Sequence, residues 1–178
     1  TLSNAYNQPS KNICLTPSGM NAMYCVLKGI KNIQAKNGRT ILVQLGWLYL
    51  DTMNIVNHYF EESKIFYDIT NLDNFENFLK ENGLKVSAIV TEIPTNPLVQ
   101  TVDLEKLKNL CKFYNIPLVI DSTFATPYNL NLNSYADIYV ESLTKFACGN
   151  ADVLMGAIIL NKNSKISHMS QEFFKHCD

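Results

Sequence analysis

Short apolar runs alternate with amphipathic stretches along this chain, a pattern typical of α/β proteins. Residues 86–91 favour a β-strand, and the Pro-Thr-Asn-Pro turn at 94–97 excludes a helix directly after it. Asp103 can cap a helix whose apolar residues recur at spacings of three and four, and Pro117 is expected to end that helix. The wholly apolar run 118–120 then predicts a strand that is buried on both faces of a parallel sheet.

The same reasoning predicts further elements on either side of this β-α-β unit. They are helices near 18–30 and 72–79 and strands near 40–43, 64–67, 137–141 and 153–160. We therefore expect an α/β fold with a mostly parallel sheet flanked by helices. Ligands of such sheets bind beyond the carboxyl ends of the strands, where Asp121 and the segment 142–145 are expected to lie.

Composition excludes several classes of protein. At 178 residues, 47% hydrophobic and 17% charged, the chain can bury one sizeable core and does not have the composition of a disordered protein. The formal net charge of -1 gives no overall basic field for nucleic acid, and we interpret the basic run from Lys11 to Arg39 as a solvated face. No apolar run reaches the ~18 residues of a membrane span, so we expect no membrane partner and a cytoplasmic location.

The cysteines and histidines do not indicate a metal site. The five cysteines are widely spaced without a C-x-x-C pair, and we expect them to be reduced thiols. His58, His168 and His176 lack the spacing of zinc ligands and are interpreted as surface or packing residues. The sequence therefore predicts that no metal is bound.

Three features at predicted element ends could form a site together. Asp121 follows a buried strand, where a carboxylate needs a cation or several donors, although alone it would be interpreted as capping the next turn. Lys145 ends a Ser-Leu-Thr-Lys segment, and a desolvated lysine can attack a carbonyl carbon, although most lysines simply face solvent. The Gly19-Met20 pair opens a predicted helix, whose free amides can bind an anion. An acid, a lysine and an anion site are the components that pyridoxal 5'-phosphate (PLP) requires.

Three motifs, Thr-Glu-Ile-Pro-Thr-Asn-Pro at 91–97, Val-Ile-Asp-Ser-Thr-Phe-Ala-Thr-Pro at 119–127 and Ala-Asp-Ile-Tyr-Val-Glu-Ser-Leu-Thr-Lys at 136–145, carry a resemblance to a known family. In their order and spacing they resemble the Cys/Met-metabolism family of PLP-dependent enzymes, which includes cystathionine γ-synthase, cystathionine lyases, methionine γ-lyase and homoserine sulfhydrylases. The resemblance implies the PLP-dependent transferase fold type I. Residues 1–178 would be an incomplete large, PLP-binding domain, without the family's N-terminal arm and C-terminal domain.

The resemblance also implies how the cofactor ring would be held. Lys145 would form the Schiff base with PLP and later move protons at the substrate, so it is a candidate catalytic residue. Asp121 would pair with the pyridinium nitrogen and keep it protonated. Thr123 and Asn96 would flank the ring. Tyr49 is a candidate catalytic and ring-stacking residue, because it matches the tyrosine of the family's Tyr-Gly-Gly-Thr pattern.

The phosphate of PLP would be bound by a second group of residues, according to the same resemblance. The hydroxyls of Ser142 and Thr144 would contact it, together with the backbone amides of Gly19 and Met20. Asp51 stands where the family has a glycine of the Tyr-Gly-Gly-Thr pattern. It could alter the choice of substrate or cap the helix that follows, and the cap is the preferred interpretation.

The function implied is PLP-dependent trans-sulfuration of sulfur amino acids or O-acylhomoserine by γ- or β-elimination or replacement, with cystathionine γ-synthase or lyase as the leading candidate. The partners would be a small amino-acid substrate and further copies of the chain, in a homodimer or homotetramer with a shared active site. Arg39 matches neither arginine by which the family binds carboxylate and phosphate. The alternatives are therefore a truncated, non-catalytic PLP-binding domain, or another fold-type I PLP enzyme such as an aminotransferase.

Overall fold

A seven-stranded sheet forms the centre of the computed structural model, which describes residues 1–177. The strands are β1 (Ile13–Thr16), β2 (Ile41–Leu45), β3 (Glu62–Phe66), β4 (Val86–Glu92), β5 (Leu118–Asp121), β6 (Ile138–Ser142) and β7 (Gly156–Leu160). They lie in the order β1-β7-β6-β5-β4-β2-β3, and the pairs from β3 to β6 are parallel. Only β7 runs antiparallel to its neighbours β6 and β1. The predicted, mostly parallel α/β sheet is confirmed.

Helices cover both faces of this sheet. They are α1 (Leu2–Tyr6), α2 (Gly19–Ala35), α3 (Leu50–Tyr59), α4 (Asp73–Asn82), α5 (Leu104–Tyr114), α6 (Thr126–Asn129) and α7 (Ser170–Phe174), with 3-10 turns at Ser10–Asn12, Gly83–Lys85 and Ser167–Met169. Buried residues of α1, α4 and α5 pack on one face, and buried residues of α2, α3 and α7 pack on the other. Within residues 1–177, no helix combines the length and apolarity that crossing a membrane requires.

Alternation along the central strands decides which side chains point toward which helices. In β5, Leu118 and Ile120 belong to the core under α4 and α5, whereas Val119 belongs to the core under α2 and α3. Because successive side chains of a strand point to opposite faces, Asp121 points toward α2 and α3. The strand therefore delivers this carboxylate to the carboxyl end of the sheet on the α2 side.

Most predicted elements are present, with shifted ends. Asp103 caps α5 as expected, since its Oδ1 accepts the Lys106 N–H at 3.0 Å. The helix ends before Pro117, however, because Asn115 adopts a left-handed conformation with φ 52° directly after Tyr114. The edge strand β1 was not predicted.

The strand expected near 153–160 begins only at Gly156. A Cβ atom at Gly156 would lie 2.2 Å from the carbonyl oxygen of Ser18, so glycine is needed where β7 approaches the residue before α2. The contact holds the start of α2 against the sheet, next to the end of β6.

The interpretation of the basic run as a solvated face is wrong for Arg39. Its guanidinium is half-buried and donates hydrogen bonds to the carbonyl oxygens of Gly83, Val86 and Tyr114 at 2.9 to 3.2 Å. Lys28 is exposed, as predicted. Arg39 therefore connects the loops at the amino ends of the central strands. These loops lie at the opposite end of the sheet from the candidate site.

Candidate cofactor site

The candidate site lies where β4, β5 and β6 end and α2 begins. Asp121, the last residue of β5, is partly buried, and its Oδ1 accepts the Thr123 N–H at 2.9 Å. Burial raises the pKa of the Asp121 carboxyl, and the hydrogen bonds from Thr123 oppose that rise. The turn-capping arrangement of an ordinary strand-end aspartate is thus present, but within the described chain only Thr123 donates to the carboxylate.

Glu92 is a second acid at this edge, and sequence reasoning missed its importance. It ends β4 directly opposite Asp121 in the parallel register and is only 6% exposed. Burial and then the neighbouring Asp121 charge raise its pKa to about 8, although Oε2 accepts the Tyr49 N–H at 2.9 Å. The signal was available, because Glu92 follows the buried run of β4 just as Asp121 follows that of β5.

Glu141 is a third acid, on β6, but it points to the opposite face of the sheet from Asp121, because Val140 before it belongs to the core under α2 and α3. It is fully buried, Oε2 accepts a short hydrogen bond from the Tyr6 hydroxyl, and Oε1 has no hydrogen-bond partner among residues 1–177. Burial is the main cause that raises its pKa to about 7. In the described part of the chain, no lysine or arginine forms an ion pair with any of these three acids. A cationic ligand would therefore be stabilised here, and partly buried Asp121 is the acid that it could reach.

The start of α2 lies against this acidic edge. Ser18 caps the helix by accepting the Asn21 N–H at 3.2 Å, which leaves the amides of Gly19 and Met20 at the open end of a 17-residue helix. A Cβ atom at Gly19 would lie 2.7 Å from the Cβ of Ser142, so only glycine allows this approach. An anion-binding helix start is thereby brought beside the end of β6.

Hydrogen bonds connect the two halves of the site. The Ser142 N–H donates to Thr123 Oγ1 at 2.8 Å, and the Thr123 N–H in turn donates to Asp121 Oδ1. The Ser142 Oγ makes no hydrogen bond to the described residues. The Thr144 hydroxyl, by contrast, donates to the Met155 carbonyl at 3.3 Å and accepts the Met155 N–H at 3.0 Å. Ser142 therefore has a free donor, whereas Thr144 already binds the chain that leads into β7.

Lys145 follows β6 and is exposed, and its Nζ makes no hydrogen bond or ion pair within residues 1–177. Its N–H donates to the Ser142 carbonyl at 3.1 Å, which places its backbone in the turn that follows the strand. Tyr49 precedes α3, with 48% of its surface exposed, and its backbone N–H donates to Glu92. Asn96 is exposed in the loop after β4, and within residues 1–177 its side chain makes no hydrogen bond to the other candidates.

The preferred interpretation of Asp51 as a helix cap is wrong. Tyr49 occupies the N-cap position of α3 and no side chain caps that helix, while Asp51 lies in its first turn. An acidic side chain there still stabilises the helix through the partial positive charge of the N-terminal amides. Asp51 therefore needs no ligand to explain its presence.

In the described residues, no group of three or more His, Cys, Asp or Glu side chains could hold a metal ion.

The sequence is similar to known proteins over most of its length. The family model described as Cys/Met metabolism PLP-dependent enzyme matches residues 6–176. The chain is 33% identical over 154 residues to the L-2-amino-4-chloropent-4-enoate dechlorinase/desaturase of Streptantibioticus cattleyicolor, and 35% identical over 164 residues to the cystathionine γ-synthase of Neurospora crassa. These matches cover 85% and 89% of this chain, but only 31% and 26% of the two relatives. The chain thus spans less than a third of each.

A solved structure extends the comparison to the fold. A crystal structure described as an O-acetylhomoserine (thiol)-lyase from Campylobacter jejuni matches with a TM-score of 0.71 and 27% identity, over 91% of this chain and 38% of that protein. That structure contains N'-pyridoxyl-lysine-5'-monophosphate, which is PLP joined to a lysine. The expected fold type I is confirmed, and the aminotransferase alternative has no support from the family model. The chain belongs to the Cys/Met-metabolism family of PLP-dependent enzymes.

Proposed function

We propose that this chain is the PLP-binding region of a cytoplasmic trans-sulfuration enzyme that acts on sulfur amino acids or O-acylhomoserine by γ- or β-elimination or replacement. One observation carries the proposal. Asp121 and Glu92 have no cationic partner in the described chain, and they end neighbouring strands at the edge of the sheet where the start of α2 meets Ser142. The free amides at this helix start can bind an anion. PLP has a cationic ring nitrogen and an anionic phosphate, and therefore suits both halves of such a site.

Asp121 would bind the protonated ring nitrogen, and its charge would keep that nitrogen protonated. When bound, PLP supplies the electron sink that stabilises negative charge at the substrate. Thr123 would fix the direction of the Asp121 carboxylate through the hydrogen bond at 2.9 Å. Tyr49 would cover one face of the ring, and Asn96 would approach from the loop after β4.

The phosphate would be bound at the start of α2, by the amides of Gly19 and Met20. Ser142 would add its hydroxyl, which is free of other partners within residues 1–177. The Thr144 hydroxyl is already bonded to the backbone of Met155, so we assign it mainly to holding this turn in place. From the sequence we expected the hydroxyls of Ser142 and Thr144 both to contact the phosphate, and we now assign that contact mainly to Ser142.

Lys145 would attach the cofactor and then move a proton at the α-carbon of the substrate. Its exposed Nζ is open to both steps. Arg39 is tied to three backbone carbonyls, so no arginine of the described chain reaches the site to bind the substrate carboxylate. That group would come from a second domain or from the partner subunit of a homodimer or homotetramer.

The same binding site is compatible with more than one enzyme activity and with a protein that binds PLP without catalysis. Relatives of similar identity carry out different chemistry, as the names cystathionine γ-synthase and dechlorinase/desaturase indicate. Cystathionine γ-synthase or lyase activity is our leading candidate. The second candidate is a non-catalytic PLP-binding domain, because within residues 1–177 no arginine reaches the site to bind a substrate carboxylate.

The test is attachment of PLP to the purified chain. We expect a visible absorbance band on addition of PLP, and borohydride reduction followed by peptide mass spectrometry should locate the cofactor on Lys145. Lys145→Ala should abolish both signals, whereas Lys36→Ala, an exposed lysine on the far end of α2, should change neither. A wild-type chain that takes up no PLP would contradict the proposal. Activity assays with cystathionine, methionine and O-acylated homoserines then separate the enzyme from the binding domain.

A further inference from the structure

Glu92 occupies a position that the cofactor-binding roles proposed above do not use. It ends β4 in register with Asp121 on β5, and paired residues of neighbouring strands lie about 5 Å apart. Val90 belongs to the core under α2 and α3, so Glu92, two residues later, points to the same side as Asp121. Two carboxyl groups therefore share one small region at the edge of the sheet.

Within the described residues, no positive charge acts on Glu92. Among residues 1–177, Asp121 is the charged group whose field acts on it, and α3 contributes only the Tyr49 N–H, which donates to Oε2 at 2.9 Å. From β2, Gln44 lies on the same side of the sheet and is uncharged. The Oε1 atom of Gln44 is buried and has no hydrogen-bond partner in the described chain. No described proton donor therefore reaches the Gln44 side of this pair of strands.

Two adjacent, shielded carboxyl groups do not both ionise, because like charges repel and burial disfavours each charge. The pair therefore holds one proton near neutral pH. Glu92 is the better place for it, because Glu92 is 6% exposed whereas Asp121 keeps its hydrogen bonds from Thr123. Burial and the Asp121 charge raise the pKa of Glu92 to about 8, which agrees with this assignment.

We propose that Glu92 is a positioning residue that holds a proton beside Asp121 in the cofactor-free protein and fixes Tyr49 at the start of α3. The proton leaves Asp121 ionised and able to accept a cation. When a cation binds Asp121, it also favours the ionised form of Glu92, so the proton passes to solvent. This last step rests on the proposed PLP-binding function, whereas the proton and the Tyr49 contact do not.

The experiment compares wild type, Glu92→Gln, Glu92→Ala and the matched control Glu62→Gln, which changes an exposed acid on β3. Without cofactor, the Tm of the wild-type chain should fall between pH 5 and pH 8. The folded chain keeps the Glu92 proton to about pH 8, whereas the unfolded chain loses it near 4.5, so folding is favoured at the lower pH. The fall should be about 5 °C smaller in Glu92→Gln and unchanged in Glu62→Gln. Equal falls in wild type and Glu92→Gln would overturn the proposal.

The single tryptophan, Trp47, reports on the contact to Tyr49 two residues away. Glu92→Gln keeps an oxygen acceptor for the Tyr49 N–H, and the anisotropy of Trp47 fluorescence should stay at the wild-type value. Glu92→Ala removes the acceptor, and the anisotropy should fall. Equal anisotropy in Glu92→Ala and wild type would overturn the positioning role.

Calorimetric titration with PLP in two buffers of different ionisation enthalpy counts the protons released on binding. At pH 7 the wild-type chain should release about one proton more than Glu92→Gln, because the glutamine side chain has no proton to lose, whereas the protons exchanged by Lys145 and PLP are the same in both proteins. An equal count in the two proteins would overturn the linked release. If wild type binds no PLP at all, the proposed function fails, while the pH and anisotropy results still decide whether Glu92 holds the proton and Tyr49.

Discussion

Two aspartates at opposite ends of the sheet differ in how many hydrogen-bond donors and positive charges the protein places around their carboxylates. Asp137, just before β6, accepts the Leu118 N–H at 2.8 Å and a short hydrogen bond from the Ser164 hydroxyl, and Lys165 lies near enough to lower its pKa. Asp121, at the end of β5, has donors only from Thr123 among residues 1–177. Both are partly buried, and burial is the main cause that raises both pKa values.

The difference separates a structural acid from a candidate binding acid. The chain itself supplies donors and a cation to Asp137, so no ligand is needed at the amino ends of the strands. Near Asp121 the chain instead supplies two further acids, Glu92 and Glu141. An arrangement that costs stability in the unliganded chain is typical of functional sites. Burial of an acid does not by itself identify such a site. The site is identified by whether the chain supplies hydrogen-bond donors and a cation to that acid.

The largest effect is expected from exchanging the two aspartates for asparagine. Asp121→Asn should weaken PLP binding by at least about 100-fold, because the charge that pairs with the ring nitrogen is lost. Its free energy of unfolding without PLP should be unchanged or higher, since a charge whose burial is unfavourable is removed. Absorbance titration with PLP and urea unfolding measure the two quantities.

Asp137→Asn is the matched control for this exchange. It should lower the free energy of unfolding by about 1–3 kcal/mol, because an amide satisfies Leu118 and Ser164 less well, and it should leave PLP binding within about threefold of wild type. If Asp121→Asn and Asp137→Asn lose PLP binding equally, the distinction between a binding acid and a structural acid at the two ends of the sheet is wrong.

The next effect concerns the pH dependence that Glu141 introduces. Its pKa of about 7 in the folded chain lies above the ordinary 4.5, so the folded state binds the extra proton and stability falls as pH rises from about 5 to 7. Glu141→Gln still accepts the Tyr6 hydroxyl and has no charge to bury. We expect it to exceed wild type by about 2 kcal/mol at pH 8 and to match it near pH 5. Urea unfolding at the two pH values checks this, and a constant difference would contradict it.

A smaller effect should distinguish the two hydroxyls after β6. Ser142→Ala removes a free donor and should weaken PLP binding about tenfold, with little change in stability. Thr144→Val removes two hydrogen bonds to Met155 and should lower the free energy of unfolding by about 1–2 kcal/mol, with a smaller change in affinity. The reverse order of affinities would mean that Thr144 releases Met155 to bind phosphate.

How far the sequence predicts this molecule depends on the range of each interaction. The central elements were predictable, because the apolar run 118–120 and the Asp103 cap are local signals. The edge strand β1 was not, because it spans four residues and Leu15 within it is 49% exposed. The ends of β7 and α5 were misplaced because Gly156 meets Ser18 across the fold and a left-handed residue precedes Pro117.

The candidate site shows the same limit. Asp121, Ser142 and Lys145 could be chosen from motifs, since each follows a recognisable strand. The pairing of Glu92 with Asp121 requires the register of β4 and β5, and the bond between Thr144 and Met155 joins residues on opposite sides of a loop. Neither contact has a local signature. The roles of Tyr49 and Asn96 remain predictions from the resemblance.

The smallest expected effect tests the cation near Asp137. Lys165 is exposed, and its Nζ donates to Asn115 Oδ1 at 3.0 Å, so solvent screens most of its attraction to the aspartate. Lys165→Met should lower the free energy of unfolding by only about 0.5 kcal/mol, and the loss should shrink in high salt. PLP binding should not change. Urea unfolding at low and high salt measures this, and a loss above about 2 kcal/mol would mean that Asp137, like Asp121, depends on a positive charge rather than on its own hydrogen bonds.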